Sequence, residues 1–309
     1  MGGENLSSAE GFLMVGFSDL PEFQVPLFTA LLLVYLMTLA GNLLIMVTIY
    51  CNLHLHTPMY FFLSNLSFID ICQTSNIFPQ MLAHFFQEGT HISMFECLLQ
   101  VYLFICMLAI EVLVLTVMAY DQYVAICNPL RYMSIMNKEV CMQLTAGSWA
   151  LALMIPVPIL LPVLLSGFTF CGSRIINHIF CDFAALMKIS CSSTLPIEVL
   201  TFVLGSIITL MSFVLIATSY INITSCILKI QSKGGRHKAF LTCASHLTVV
   251  LLFYGSVCSV FLRPMSTSSM KENKIVSLAH LAVTPMCNPI IYSLKNAEVK
   301  KKLRKFLLL

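Results

Sequence analysis

The chain has 309 residues, of which 58% are hydrophobic and 10% charged, and its formal net charge is +3. Soluble domains carry about 25% charged residues, so this composition excludes an ordinary soluble protein and indicates one embedded in a membrane. A net charge this small gives no indication of a nucleic-acid partner.

Seven apolar stretches are long enough to cross a bilayer. A helix needs about 20 apolar residues to span the hydrocarbon core, where each backbone amide must be hydrogen-bonded without water. The sequence therefore predicts an all-α membrane protein, a bundle of seven transmembrane helices that forms one domain over residues 1–309. The predicted spans are residues 26–50, 58–85, 98–120, 143–165, 199–228, 239–262 and 275–294.

The distribution of basic residues predicts the orientation. None of the 17 Lys and Arg residues falls within the predicted spans; twelve follow the odd-numbered spans and five lie on the other side. Because cytoplasmic segments retain Lys and Arg, the N-terminus is expected outside and the tail 295–309 in the cytoplasm. There the basic residues would face anionic lipid or an intracellular protein.

The segments outside the spans carry three further predictions. Residues 1–25 form an extracellular tail with a glycosylation sequon at Asn5, and they lack the basic region of a cleavable signal peptide. Residues 166–198 form the second extracellular loop. Residues 300–309 alternate basic residues with leucines, a pattern typical of a short amphipathic helix on the membrane surface.

The predicted topology divides the thirteen cysteines into those on the extracellular side and those in helices or on the cytoplasmic side. Cys97, Cys171, Cys181 and Cys191 face the oxidising side, and four thiols allow three pairings. The remaining nine are expected to be reduced thiols that behave as small hydrophobes.

Several motifs occur in order along nearly the whole chain. They are GN at 41–42, LHTPMYFFLSNLS at 55–67, MAYDQYVAIC at 118–127, PLRY at 129–132, SY at 219–220, KAFLTCASH at 238–246 and PMCNPIIY at 285–292. With these motifs the chain resembles the mammalian odorant receptors, a branch of the rhodopsin-like G-protein-coupled receptors. The resemblance also supports the disulfide pairings Cys97–Cys181 and Cys171–Cys191.

The resemblance implies a function. A small, mostly hydrophobic volatile ligand would bind within the bundle and activate a stimulatory heterotrimeric G protein of the olfactory type, raising cyclic AMP. It implies a multi-pass protein of the plasma membrane of olfactory cilia that contacts lipid, needs an export chaperone, requires no cofactor and is not an enzyme.

Two residues depart from the family pattern. Gln122 stands where the family usually has Arg in its Asp-Arg-Tyr motif, and Leu241 stands where it usually has Ser. Glutamine can still form hydrogen bonds but has no charge, so weakened coupling to the G protein is one hypothesis and an ordinary signalling variant is the other.

Asp70 and Glu111 are the carboxylates well within the predicted spans. Acids inside a membrane are costly and usually face a polar cavity or a partner. The resemblance implies that these two face each other beside Asn42 and Asn288, where a sodium ion would favour the resting state. Two close carboxylates could instead share a proton.

The predicted activation switch lies towards the cytoplasmic ends of the helices. Pro289 removes a backbone hydrogen bond and bends the seventh helix, which gives the bundle a joint. The residues assigned to the switch and to G-protein coupling are Asp121, Gln122, Tyr123, Tyr220, Asn288, Pro289 and Tyr292.

The ligand pocket is predicted in the outer half of the third, fifth, sixth and seventh helices. Its lining is mostly apolar and suits a small molecule held by shape with about one hydrogen bond. The candidate residues are Phe104, Ile105, Leu108, Ala109, Thr201, Leu204, Gly205, Ile208, Tyr254, Val257, Cys258, Phe261, Leu278 and Leu281.

Other classes of membrane protein fit less well. A transporter would need a hydrophilic path or internal repeats, and an enzyme would need a nucleophile–base pair, a metal motif or a phosphate loop. A rhodopsin-like receptor for a peptide or an amine stays the nearest alternative, although amine receptors usually have an acid where this chain has Phe104.

Overall fold

The computed structural model describes residues 11–16, 24–83, 85–87, 89–165, 170, 174–261 and 270–295. Four earlier predictions lie outside this part of the chain: the sequon at Asn5, the helix at 300–309, Cys171 and the side chain of Phe261. The helices are α1 (Gln24–Cys51), α2 (Pro58–Ala83), α3 (Met94–Cys127), α4 (Tyr132–Ile135), α5 (Lys138–Met154), α6 (Val157–Leu165), α7 (Phe183–Lys188), α8 (Leu195–Lys229), α9 (Lys233–Phe261) and α10 (Met270–Lys295).

Seven passes are present in the described chain, and the fourth is made of two helices. Between α5 and α6 the chain turns at Ile155 and Pro156, because proline donates no backbone hydrogen bond and its ring clashes with the preceding turn. The predicted span over 143–165 is therefore a single pass built from two helices.

Five of the passes in the described chain are long and apolar enough to cross a membrane by length and composition. α2 and α10, of 26 residues each, are not among them. Both carry buried polar side chains, Asp70 and Gln73 on α2 and His280 and Asn288 on α10. These polar side chains lower the apolar character of the two helices.

Several helices extend beyond the predicted spans. α3 begins at Met94, four residues before the predicted start, and Ser93 caps it: the Ser93 hydroxyl accepts from the Glu96 amide at 3.2 Å, and Glu96 accepts from the Ser93 amide at 3.0 Å. This capping box is a sequence signal for the first turn of a helix, and apolar length alone does not reveal it.

A three-stranded sheet covers the outer end of the bundle. β1 (Gly11–Met14) pairs antiparallel with β2 (Thr90–Ser93) and parallel with β3 (Ile175–Ile176). Part of the predicted extracellular tail is thus a strand. It is held because Phe12 is only 2% exposed and its ring lies 5.0 Å from that of Phe170.

The outer surface of the bundle is apolar. On α8, large side chains such as Phe202, Leu210 and Met211 are more than half exposed. In water such a surface would favour aggregation, whereas lipid tails solvate it without loss.

Candidate functional site

The second extracellular loop is fastened over the bundle. A disulfide joins Cys97 at the outer end of α3 to Cys181, with the Cα atoms 5.3 Å apart. Gln100, one turn further along α3, accepts a hydrogen bond from the Cys181 amide at 2.8 Å and donates to the Asn76 carbonyl of α2 at 3.0 Å. Cys191 is also disulfide-bonded. The loop is therefore tied to α3 by two links, and Gln100 in turn connects α3 to α2.

The same loop inserts side chains into the bundle. Phe180 is buried and its ring lies 5.4 Å from that of Phe104 on α3. His178 packs edge-on against Phe180 at 4.7 Å. Burial lowers the pKa of His178, and the charges of Lys274 and Lys188 add to this while Asp182 opposes it. At neutral pH the His178 side chain in this loop is therefore uncharged.

The predicted pocket residues fall into adjoining apolar clusters. One contains Ile105, Leu108, Ala109, Ile208, Tyr254 and Val257 from α3, α8 and α9. A second contains Phe104, Leu278 and Leu281 with Phe180, and a third joins Leu204 to Ile105 beneath the disulfide. Ten of the fourteen candidate residues thus belong to these three clusters.

Three other pocket candidates have different surroundings. The Thr201 hydroxyl donates to the Ile197 carbonyl of its own helix at 2.7 Å, and a Cβ added at Gly205 would meet no atom within 4 Å. Cys258 is exposed. We therefore leave Cys258 out of the proposed pocket.

Polar residues near these clusters were missed by sequence reasoning. Ser256 of α9 bonds to His280 of α10, with 2.9 Å between Ser256 Oγ and His280 Nδ1, and Thr284 lies 3.4 Å from the same hydroxyl. The signal was available, since an ionisable residue within a span is itself a functional hint and the sequence argument considered only carboxylates.

A buried polar group occupies the middle of the bundle. Asn288 Nδ2 donates to both carboxylate oxygens of Asp70, at 2.9 and 3.2 Å, and Asn42 Nδ2 donates to the Pro285 carbonyl at 3.1 Å. Glu111 is 1% exposed and interacts electrostatically with Asp70. Its Oε1 has no hydrogen-bond partner among the described residues.

α1 packs closely on the bend of α10 near this group. A Cβ added at Gly41 would lie 3.0 Å from Cγ of Pro289, which is tighter than ordinary contact. Glycine at this position lets the two helices approach where α10 carries Pro285 and Pro289.

The cytoplasmic ends of the helices carry a second polar network. Asp121 accepts a hydrogen bond from the neutral Tyr132 hydroxyl at 2.8 Å. Burial raises the pKa of Tyr132, which keeps that donor protonated. Gln122 is 4% exposed, and its Oε1 lies 3.3 Å from the Tyr220 hydroxyl, which is 2.7 Å from His246 Nδ1.

The two remaining residues assigned to the switch, Tyr123 and Tyr292, lie near this network. Tyr123 packs against the small cluster of Ile223, Ile227 and Cys243. The Tyr292 hydroxyl is buried without a hydrogen-bond partner in the described chain, and its side chain interacts electrostatically with Asp70 and Glu111. Tyr292 therefore lies between the central and the cytoplasmic polar groups.

One expectation about the cysteines was wrong. Cys127, at the cytoplasmic end of α3, forms a disulfide with Cys226 of α8, with Cα atoms 5.7 Å apart. Sequence reasoning treated both as reduced thiols because cytoplasmic disulfides are rare. It had no means of seeing that the two helices bring these residues together.

Comparison with known proteins identifies the family. A family model described as olfactory receptor matches residues 31–309. An olfactory receptor of Mus musculus is 45% identical over 98% of this chain and 96% of its own length. One of Gorilla gorilla gorilla is 44% identical over 99% and 97%, and an olfactory receptor-like protein of Gallus gallus is 44% identical over 99% and 97%.

Several earlier predictions are confirmed by this match. The family's fold is the seven-transmembrane bundle, its members are multi-pass proteins of the plasma membrane, and they are receptors and not enzymes. Odorants and heterotrimeric G proteins are the partners that the family implies. The chain belongs to the olfactory receptor family of G-protein-coupled receptors.

Proposed function

We infer that residues 1–309 form one receptor domain that binds a small hydrophobic volatile compound and activates the olfactory stimulatory G protein, raising cyclic AMP. The observation that carries this proposal is the set of apolar clusters from α3, α8, α9 and α10 beneath a loop tied down by Cys97–Cys181. Such a lining favours a ligand selected by shape.

Transmission to the cytoplasm is proposed to run through the interior polar groups. Ligand contacts on α9 and α10 would bias the Asp70–Asn288 group, and α10 carries the bias to Tyr292 and to the Tyr220–Gln122 network. A ligand shifts such an equilibrium only by binding the two states with different affinity.

A sodium ion is proposed as an allosteric ligand of the resting state. The two carboxylates fit a cation: Glu111 Oε1 has no hydrogen-bond partner in the described chain, and Asp70 is contacted by the neutral amide of Asn288. Asp70 and Glu111 would hold the ion, which would supply the positive charge that this buried pair needs. A shared proton is the alternative.

Weakened coupling is proposed as a property of this particular receptor. Gln122 and Asp121 have neutral hydrogen-bond partners, Tyr220 and Tyr132. An uncharged side chain at position 122 offers the G protein a hydrogen bond without a cation.

The test is a functional screen in cells. The chain, with a tag at its N-terminus, is expressed with an export chaperone and the olfactory stimulatory α-subunit, and cyclic AMP is measured against a panel of small volatile compounds. We expect at least one hydrophobic agonist, and no response in cells lacking that α-subunit.

A matched pair of variants locates the site. Ala109→Phe fills the space between α3 and its neighbours and should abolish the agonist response, because Ala109 is buried in the apolar cluster. Val214→Phe, an enlargement on the exposed side of α8, should leave the response intact. Equal responses of the two variants would contradict the proposed pocket.

A further inference from the structure

A buried histidine lies between α9 and α10, where two of the apolar clusters meet. His280 is 3% exposed, and its ring centroid lies 6.3 Å from that of Phe253, which belongs to the cluster with Ile105 and Val257. Leu281, the next residue, belongs to the cluster with Phe104. His280 therefore borders the proposed ligand pocket.

The hydrogen bonds around Ser256 determine which ring nitrogen carries the proton. A serine hydroxyl has one hydrogen, and Ser256 donates it to the Phe253 carbonyl at 2.7 Å. Towards His280 Nδ1, at 2.9 Å, the Ser256 oxygen can therefore only accept. With the hydroxyl hydrogen assigned to the Phe253 carbonyl, the shortest of the Ser256 contacts, the imidazole carries its hydrogen on Nδ1.

The other ring nitrogen is then a bare acceptor. In a neutral imidazole protonated on Nδ1, Nε2 has a lone pair and no hydrogen. His280 Nε2 is buried and has no hydrogen-bond partner among the described residues. No described carboxylate bonds to the ring. Because an unpaired charge is costly to bury in an apolar site, the imidazole is neutral here. A buried acceptor that lacks a donor has lost its hydrogen bonds to water and gained none from the protein. A ligand that donates a hydrogen bond to Nε2 would remove this cost.

We propose that His280 determines the ligand class: Nε2 accepts a hydrogen bond from hydroxyl-bearing odorants, alcohols and phenols. Aldehydes, ketones and ethers of the same carbon skeleton present only lone pairs to that nitrogen and bind less well. The inference rests on the proposed function, because it places the odorant in the same pocket. The Tyr254 hydroxyl also has no partner in the described chain, but a hydroxyl both donates and accepts and does not discriminate between these ligands.

The test uses matched triplets of odorants on one skeleton, for example benzyl alcohol, benzaldehyde and benzyl methyl ether, over aromatic, cyclic, branched and linear skeletons. Each alcohol that activates the receptor should be more potent than its aldehyde and ether by about tenfold, the order of one buried hydrogen bond. Potency is read as the concentration for half-maximal cyclic AMP at matched surface expression.

Three variants separate recognition from folding. His280→Phe should raise the half-maximal concentration of the alcohol by about tenfold and change that of the aldehyde by less than about twofold. Ser256→Ala removes the acceptor of the Nδ1 hydrogen, so the ring can turn an N–H towards the ligand, and the potencies of alcohol and aldehyde should converge. Ser259→Ala, which removes an exposed hydroxyl one turn along α9, should change neither.

The possible results distinguish this inference from the proposed function. Agonists found without a preference for donors, or an equal loss of all three ligands in His280→Phe, would overturn the role of His280 and leave the receptor function in place. Silence towards every triplet by a receptor present at the surface would overturn the proposed function and this inference with it.

Discussion

At the scale of single residues, the cytoplasmic end of α3 is marked by uncharged partners. Gln122 is buried beside Tyr220, and Asp121 bonds to Tyr132. Both hydrogen-bond partners are neutral, so neither Asp121 nor Gln122 is paired with a charged side chain here. An arginine would add a charge that prefers contact with carboxylates and carbonyls.

Restoring that charge should strengthen signalling. We expect Gln122→Arg to raise the maximal agonist-evoked cyclic AMP severalfold at matched surface expression, because the arginine can reach the transducer where glutamine cannot. Gln122→Met, which has similar length and no hydrogen-bonding group, serves as the control and should not raise it. Equal maxima for the parent chain and Gln122→Arg would mean that Gln122 is an ordinary signalling variant.

The carboxylate pair gives a second prediction at this scale. If a sodium ion between Asp70 and Glu111 favours the resting state, raising sodium should lower agonist potency by about fivefold, the lower end of typical allosteric coupling. Asp70→Asn should abolish the shift, and Glu198→Gln, at an exposed carboxylate, should retain it. A parent receptor indifferent to sodium would leave the shared proton as the explanation.

At the scale of elements, covalent links fasten α3 at both ends. Cys97–Cys181 joins its outer end to the extracellular loop, and Cys127–Cys226 joins its cytoplasmic end to α8. Relative motion of the cytoplasmic ends of α3 and α8 is therefore limited while the second bond is present. Because reductants in the cytoplasm keep thiols reduced, the receptor with this bond and the receptor without it can be compared directly.

Removing the cytoplasmic link should enlarge the response. We expect Cys226→Ser to increase the maximal cyclic AMP signal about twofold, an effect of a few tenths of a kcal/mol on a two-state equilibrium. Cys51→Ser, at an exposed free cysteine at the end of α1, is the control. An unchanged maximum in Cys226→Ser would show that the link does not restrain the active state.

At the scale of the whole molecule, the seven passes and the charge distribution define the orientation. An antibody to an N-terminal tag should label intact cells, and one to a C-terminal tag should label only permeabilised cells, because the basic residues are concentrated on the cytoplasmic side. Asn5→Gln should lower the apparent mass by one glycan. Labelling of both tags on intact cells would contradict the assigned topology.

The features predicted best from the sequence are those that belong to one continuous apolar stretch. Hydrophobic length predicted each pass, and α2 was placed within two residues of its observed end, since a span is a property of one continuous stretch. The helix ends beyond the apolar stretch and the turn at Pro156 were missed although their signals are also local, because the spans were drawn from apolar length and not from capping or proline residues.

The sequence alone determined the membrane class, the number of passes, the orientation and, through its ordered motifs, the family, because these depend on composition and local pattern. Only the tertiary structure decided which distant residues meet. It joined Cys127 to Cys226, placed Gln100 against Cys181, and left His280 with one nitrogen bonded to Ser256 and the other bare. Each depends on how separate helices pack side by side, and helical periodicity within one stretch carries no information about its neighbours.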